Sequence, residues 1–251
     1  GSPVTKSPLD LYSQCAFLND ELLEHGSFYS FRNRYAHMIE RNFGGRRVQI
    51  VGSYQRLEEL EEILKKFSYR VQKKDCLDLP KKIFINRTVE LTQEQNKAYQ
   101  TMKSAALAQL NGKLATAPHT LTQLMRLHQI TCGHFKSDDG EITNLKHNRI
   151  TELMDVIDEM EGKVIIWANY IHDIEEIVKT VKKEHGDNSI VQYYGAISSD
   201  DRQKAIKLFQ DPESPVKYFV GNTQTGGYGI TLTAASNVIY YSNSYDLEKR
   251  L

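Results

Sequence analysis

From residue 144 onward two hydrophobic periods alternate along the chain. Short apolar runs at 163–168, 189–194, 216–221 and 238–242 read as strands, and the stretches between them, 171–185 and 199–210, carry apolar residues at helical spacing. Another helix is expected to run from residue 144 to Glu161-Gly162. Short apolar strands separated by amphipathic helices predict a parallel sheet with helices on both faces, joined by right-handed crossovers.

Upstream, Thr92-Gln93-Glu94-Gln95 has the form of a capping box, and Tyr99, Met102, Ala106 and Leu110 continue an apolar face up to Asn111-Gly112. A second helix is expected over 120–131. Residues 1–80 lack strand alternation and read as helices, 9–18 and 28–38 among them. Ser53 is the expected cap of a helix bearing Leu57, Leu60, Leu64 and Phe67, with Glu58, Glu59, Glu61 and Glu62 in its early turns. Residues 83–91 alternate and are β-branched, which predicts a strand, and a boundary falls near residue 80. The expected fold class is α/β, with a helical appendage over 1–80 and a sheet domain over 81–251 that carries a helical insertion at about 92–135.

A 40% hydrophobic share over 251 residues builds a core and excludes a mainly disordered chain. Lys plus Arg and Asp plus Glu both number 32, so the net charge is +0 and no global field draws the chain to nucleic acid or an anionic membrane. Binding of that kind must use local patches. Two exist: Arg32, Arg34, Arg41, Arg46 and Arg47, and Lys65, Lys66, Arg70, Lys73 and Lys74, interleaved with Phe31, Tyr35, Phe43 and Tyr69. Each is either a solvated surface or a nucleic-acid contact. Cys15, Cys76 and Cys132 are odd in number and in no C-x-x-C spacing, which excludes a disulfide framework. No stretch approaches the roughly 20 apolar residues that cross a bilayer, and Gly1 to Lys6 hold no apolar run of a signal peptide. An intracellular location and no membrane partner are expected.

Ligands of an open parallel sheet collect at the carboxyl ends of its strands, here the loops after Ala168, Tyr194, Gly221 and Ser242. The segment Gly221-Asn222-Thr223-Gln224-Thr225-Gly226-Gly227-Tyr228-Gly229 offers bare amides and hydroxyls to phosphate oxygens, or is simply a tight turn needing positive φ. Neither Gly112-Lys113-Leu114 nor Gly162-Lys163-Val164 has the hydroxyl of a Walker A loop. A Gly-x-Gly-x-x-Gly turn and a Gly-x-Ser-x-Gly elbow are also missing, which argues against a dinucleotide oxidoreductase and a triad hydrolase. His128, Cys132 and His134 lack a fourth ligand at a known spacing and read as a helix end rather than a metal site.

The order of these segments resembles the Swi/Snf-type, helicase-like DNA translocases of superfamily 2. Ser7-Pro8-Leu9-Asp10-Leu11-Tyr12 is similar to the stretch after the first lobe's Thr-Gly-Thr/Ser-Pro motif, and Leu79-Pro80-Lys81-Lys82 to the inter-lobe linker. Leu91-Thr92-Gln93-Glu94-Gln95 and Leu124 through His134 resemble the helical start of the second lobe, and Lys163 through Tyr170 resembles motif IV. Gly195, Arg202 and Phe209 are similar to the helix that follows, and Thr223 through Ala235 to motif V. Two departures stand out: Gln224 replaces a common Arg, and Tyr245-Asp246-Leu247 replaces Trp-Asn-Pro.

The resemblance implies a RecA-like second lobe preceded by the end of the first, with the Walker A and Asp-Glu-x-His motifs upstream of Gly1 and the motif VI arginines beyond Leu251. It implies ATP and Mg²⁺ in the complete two-lobe protein, no catalytic residue here and no ATP hydrolysis by this chain alone. Its partners would be duplex DNA and the first lobe of the same chain, and it would act as a monomer in the cytoplasm, the nucleus or an infected cell. By position, Gly227 and Gly229 are assigned to the nucleotide side, and Thr223, Thr225, Gly226, Asn169, Ser198, Arg126 and Arg202 to the DNA backbone. Arg202 reads equally well as a solvated helix residue, and Ser198 as a cap neighbour. A non-catalytic nucleic-acid-binding scaffold and a nucleotide-sugar transferase lobe remain the alternatives.

Overall fold

The computed structural model describes residues 4, 6–43, 46–71, 76, 78, 81–111, 117–137, 139–227 and 229–244, with the side chains of 43, 107–111 and 117–120 left aside. Lys73-Lys74, Leu79-Pro80, Tyr228 and Tyr245-Asp246-Leu247 therefore lie outside the described residues. The chain divides into two units, Gly1–Phe84 and Ile85–Leu251. Among the described residues no helix is long and apolar enough to cross a membrane.

The first unit contains α1 (Asp10–Leu18), α2 (Phe28–Tyr35), β1 (Ala36–Phe43), β2 (Arg46–Tyr54) and α3 (Leu57–Lys65). Leu11, Cys15, Leu23, Phe31, Tyr35, Leu60 and Ile63 form its core. The helices are those expected, but the helix over 28–38 stops at Tyr35 and an antiparallel hairpin follows, with Glu40 opposite Gln49 and Arg41 opposite Val48. Most of β2 is exposed, so neither face selects apolar residues and no alternation marks the strand. Ser53 consequently lies in β2 and caps nothing; α3 starts after Arg56, whose φ of 54° is left-handed. Arg34 Nε and Nη2 clamp Glu59 at 2.9 and 2.6 Å, and Tyr35 donates its hydroxyl to the same carboxylate at 3.0 Å.

The second unit holds α4 (Gln93–Asn111), α5 (Ala117–Cys132), β3 (His134–Lys136), β4 (Ile142–Asn144), α6 (Arg149–Asp158), β5 (Lys163–Trp167), α7 (Ile171–His185), β6 (Ile190–Tyr193), α8 (Ser199–Gln210), β7 (Tyr218–Gly221), α9 (Thr223–Gly226) and β8 (Ala235–Tyr240). Its main sheet has the order β6-β7-β5-β8, and every pairing is parallel. Side chains alternate across the pleat. Val164, Ile166, Ile190 and Val220 pack with α6 and α7 through Leu153, Ile157, Ile174, Ile177 and Val181. On the other face Ile165, Trp167, Tyr193 and Phe219 pack with Phe209 of α8. The sheet is thus covered on both sides.

The capping box before α4 forms reciprocally: Gln95 N donates to Thr92 Oγ1 at 3.2 Å and Thr92 N donates to Gln95 Oε1 at 3.1 Å. The buried Gln95 amide also donates to Ile130 O at 2.9 Å, tying α4 to α5. The strand expected over 83–91 is not formed. Ile83, Phe84 and Ile85 are 84%, 80% and 73% exposed, and a strand requires a neighbouring edge as well as alternation. Side chains hold the later part of this stretch instead: Arg87 pairs with Glu152 and Glu159 of the α6 region, and Asn148 donates to Glu90 O.

Candidate functional site

The parallel sheet brings four loops to its carboxyl edge, and hydrogen bonds join three of them. Asn222, after β7, donates its side-chain amide to Asn169 O after β5 at 2.7 Å. Asn169 N donates to the hydroxyl of Ser242, after β8, at 2.8 Å, and that hydroxyl donates to Asp173 Oδ2 in the first turn of α7 at 3.4 Å. The fourth loop approaches sterically: a Cβ at Gly195, after β6, would stand 3.8 Å from Thr225 Oγ1.

The glycine-rich segment folds differently from a cradle of bare amides. Asn222 Oδ1 accepts from Gln224 N at 2.7 Å, Asn222 O accepts from Thr225 N and Gly226 N, and Thr223 O accepts from Gly227 N. Four successive amides are satisfied inside one helical turn, because Asn is a good cap and the turn closes on it. The expectation of bare amides at 224–227 is corrected accordingly. The half-buried Thr225 hydroxyl, on the side of Gly195, takes no part in these bonds, and the approach past Gly229 is open. Gly229 has φ +72° and no heavy atom within 4 Å of where a Cβ would be. Gly226 is required for another reason: a Cβ there would meet Trp167 at 2.8 Å and Tyr193 at 3.3 Å.

Of the residues singled out by sequence, Asn169, Thr223, Thr225, Gly226 and Arg202 gather around this edge. Thr223 is buried and Thr225 half-buried. The Arg202 guanidinium lies 5.7 Å above the ring of Tyr193, the ring that Gly226 approaches, and its Nε is buried with no hydrogen-bond partner among the described residues. Ser198 turns to α8: its hydroxyl accepts from Asp201 N at 3.2 Å and donates to Asp201 Oδ2 at 2.8 Å, a bond that heads the causes holding the Asp201 carboxyl below its usual range. Arg126 sits on α5 with its guanidinium 5.5 Å over Phe135.

His128 and His134 both meet the Tyr170 ring, and Cys132 and His134 both face Asp173. His128 Nδ1 is 2.9 Å from Tyr170 Oη, and burial, then the charge of Arg149, lowers its pKa. Burial pushes the Cys132 thiol up to about 12. His134 Nδ1 faces Asp173 Oδ1 at 3.1 Å. Among the described residues no cluster of His, Cys, Asp and Glu is arranged to hold a metal. Sequence reasoning did not single out Asn222, Ser242 and Asp173. Asn222 carries a signal, an Asx residue directly before the turn; Ser242 and Asp173 carry none.

A four-stranded parallel sheet covered on both faces, with its polar loops joined at the carboxyl edge, is a RecA-like arrangement. The same fold occurs in the Sulfolobus solfataricus SWI2/SNF2 ATPase core domain, which matches 99% of this chain and 51% of that one at 26% identity with a TM-score of 0.57. The core of that ATPase in complex with dsDNA matches 96% of this chain and 50% of that one at 25% identity and TM-score 0.55.

The chain belongs to the SNF2-related family: the model of the SNF2-related domain matches residues 1–136, and that of the helicase conserved C-terminal domain matches 146–251. YwqA of Bacillus subtilis, named as an ATP-dependent helicase/translocase, is 28% identical over 96% of this chain. The ATP-dependent helicase MG018 of Mycoplasma genitalium is 27% identical over 80% of it. The chain spans 26% and 20% of these two proteins.

Proposed function

We propose that this chain is the second lobe of an ATP-dependent double-stranded DNA translocase, carrying the tail and linker of the first lobe over 1–80. The observation that supports it is the joined carboxyl edge of the parallel sheet, with the Asn222–Gly227 turn at its centre, in a chain of the SNF2-related family.

ATP with its Mg²⁺ is the substrate of the complete protein and binds between the two lobes. Gly227 and Gly229 border it on this side, and the open space at Gly229 fits a ligand that must come close to the backbone. The Thr225 hydroxyl and Asn169 meet the DNA backbone, with the buried Thr223 and Gly226 holding the turn beneath them and Arg202, Ser198 and Arg126 flanking. Backbone contacts position the duplex without reading its bases, so movement driven by opening and closing of the lobes is largely independent of sequence. The phosphate loop and the arginines that stabilise charge on the γ-phosphoryl group belong to the rest of the protein, so this lobe alone is inactive as an ATPase. It works as a monomer inside the cell.

The test is binding of labelled duplex DNA to the chain across a salt series. Neutralising several phosphates gives a log affinity that falls steeply and linearly with log salt. A flat line refutes the reading.

A further inference from the structure

Asp173 is the one fully buried carboxylate among the described residues, at 0% exposure. An acid in the first turn of a helix is favoured by the helix dipole and ordinarily reaches solvent or the cap. Asp173 does neither. The cap residue of α7, Tyr170, has no side-chain cap bond, and the carboxylate points under the carboxyl edge of the sheet. Its Oδ2 accepts from Ser242 Oγ at 3.4 Å, Ser242 Oγ accepts from Asn169 N at 2.8 Å, and Asn169 O accepts from Asn222 Nδ2 at 2.7 Å. Asn222 then caps the turn through Gln224 N. One unbroken path runs from a buried carboxyl group to the glycine-rich turn.

On its other side Oδ1 lies 3.1 Å from Nδ1 of His134, itself 2% exposed, at the start of β3. Neither atom has an aligned hydrogen bond. A buried polar contact without an aligned hydrogen bond is a poor source of stability. What it provides is geometric.

We infer that Asp173 is a positioning residue: through Ser242 and Asn169 it sets the height of the Asn222–Gly227 turn, and through His134 it ties the helical insertion to the same point. The consequence for DNA affinity rests on the function proposed above; the consequence for the turn does not.

The experiment is hydrogen exchange on the full chain, read at the amides of 224–227, for Asp173→Ala, Ser242→Ala, Ser242→Thr and the double alanine variant, alongside affinity for a labelled duplex. Loss of one hydrogen bond on the path is expected to speed exchange of the turn about tenfold. Ser242→Thr restores the wild-type rate, and the double variant is no faster than Ser242→Ala because both changes cut one path. Amides of β6 and α8 keep their rates, and duplex affinity falls by a similar factor.

Unchanged exchange of the turn in Ser242→Ala, or acceleration spread evenly over the sheet, overturns the inference. If Asp173→Ala fails to fold, the Ser242 pair decides alone. If the wild-type chain fails to bind duplex, the proposed function falls while the exchange result still stands or fails by itself.

Discussion

Gly226→Ala places a methyl 2.8 Å from both Cζ3 and Cη2 of Trp167 and 3.3 Å from Cδ1 of Tyr193. The indole has little room to yield. It packs edge-on against Phe219 at 6.1 Å, and Gly221 faces it on the side of β7, where a Cβ would lie 3.1 Å from Cζ3. Overpacking of this degree costs about 1–3 kcal/mol. At ~2–4 °C per kcal/mol for a domain of this size, the melting transition of the unit carrying Trp167 falls by about 2–12 °C. Because the chain has a single Trp, intrinsic fluorescence follows that transition alone and also reports the displaced ring. Trp167→Phe in the same chain, melted by circular dichroism because it removes the one Trp, takes away the contacted atoms and recovers most of the loss. The control is Gly229→Ala, where nothing lies within 4 Å and φ is +72°; it costs only the ~1–2 kcal/mol of a left-handed backbone and leaves Trp emission unchanged. A Gly226→Ala chain with wild-type melting and emission refutes the packing argument.

Ser198→Ala removes the cap of α8 and lowers stability by about 1 kcal/mol in thermal melts. Ser198→Asp keeps the cap and the stability, but weakens duplex binding by adding charge next to phosphate. His128 has a folded pKa below its ordinary 6.5, chiefly through burial. The unfolded chain therefore takes up the proton first, and stability falls as pH drops below that value; His128→Asn loses less stability than wild type between about pH 7 and pH 5 in denaturant titrations. The buried Cys132, its thiol pushed up to about 12, stays unmodified by iodoacetamide while the exposed Cys76 reacts. Mass spectrometry showing equal labelling of the two in the native chain contradicts the burial.

The second unit was legible because its elements bury one face or both. β5 is an apolar run with four of its five residues buried, and α8 begins and ends where a serine cap and apolar spacing place it. The hairpin of β1 and β2 was not legible, since it is largely exposed and its residues were never sorted by face. Residues 83–91 show the opposite failure: alternation was present, but no strand edge lies beside it in the described structure. At the site, the loops were legible from topology, since a parallel sheet gathers its functional loops at one edge. Their internal wiring was not. Asp173 reads as an ordinary first-turn acid and Ser242 as the end of a strand; only the fold places them 3.4 Å apart, 69 positions away in the chain. The Asn222–Gly227 amides fit two readings in the sequence, free donors or a closed turn, and Asn222 decides for the turn.

The most direct measurement is steady-state ATP turnover, with and without duplex DNA, by this chain alone and by the two-lobed protein proposed above. The expected result is no turnover by the chain in either condition and duplex-stimulated turnover by the two-lobed protein. Duplex-dependent hydrolysis by the chain alone, or one unchanging rate from the two-lobed protein whether or not DNA is present, contradicts the assignment of this chain as the second lobe of a DNA-driven motor.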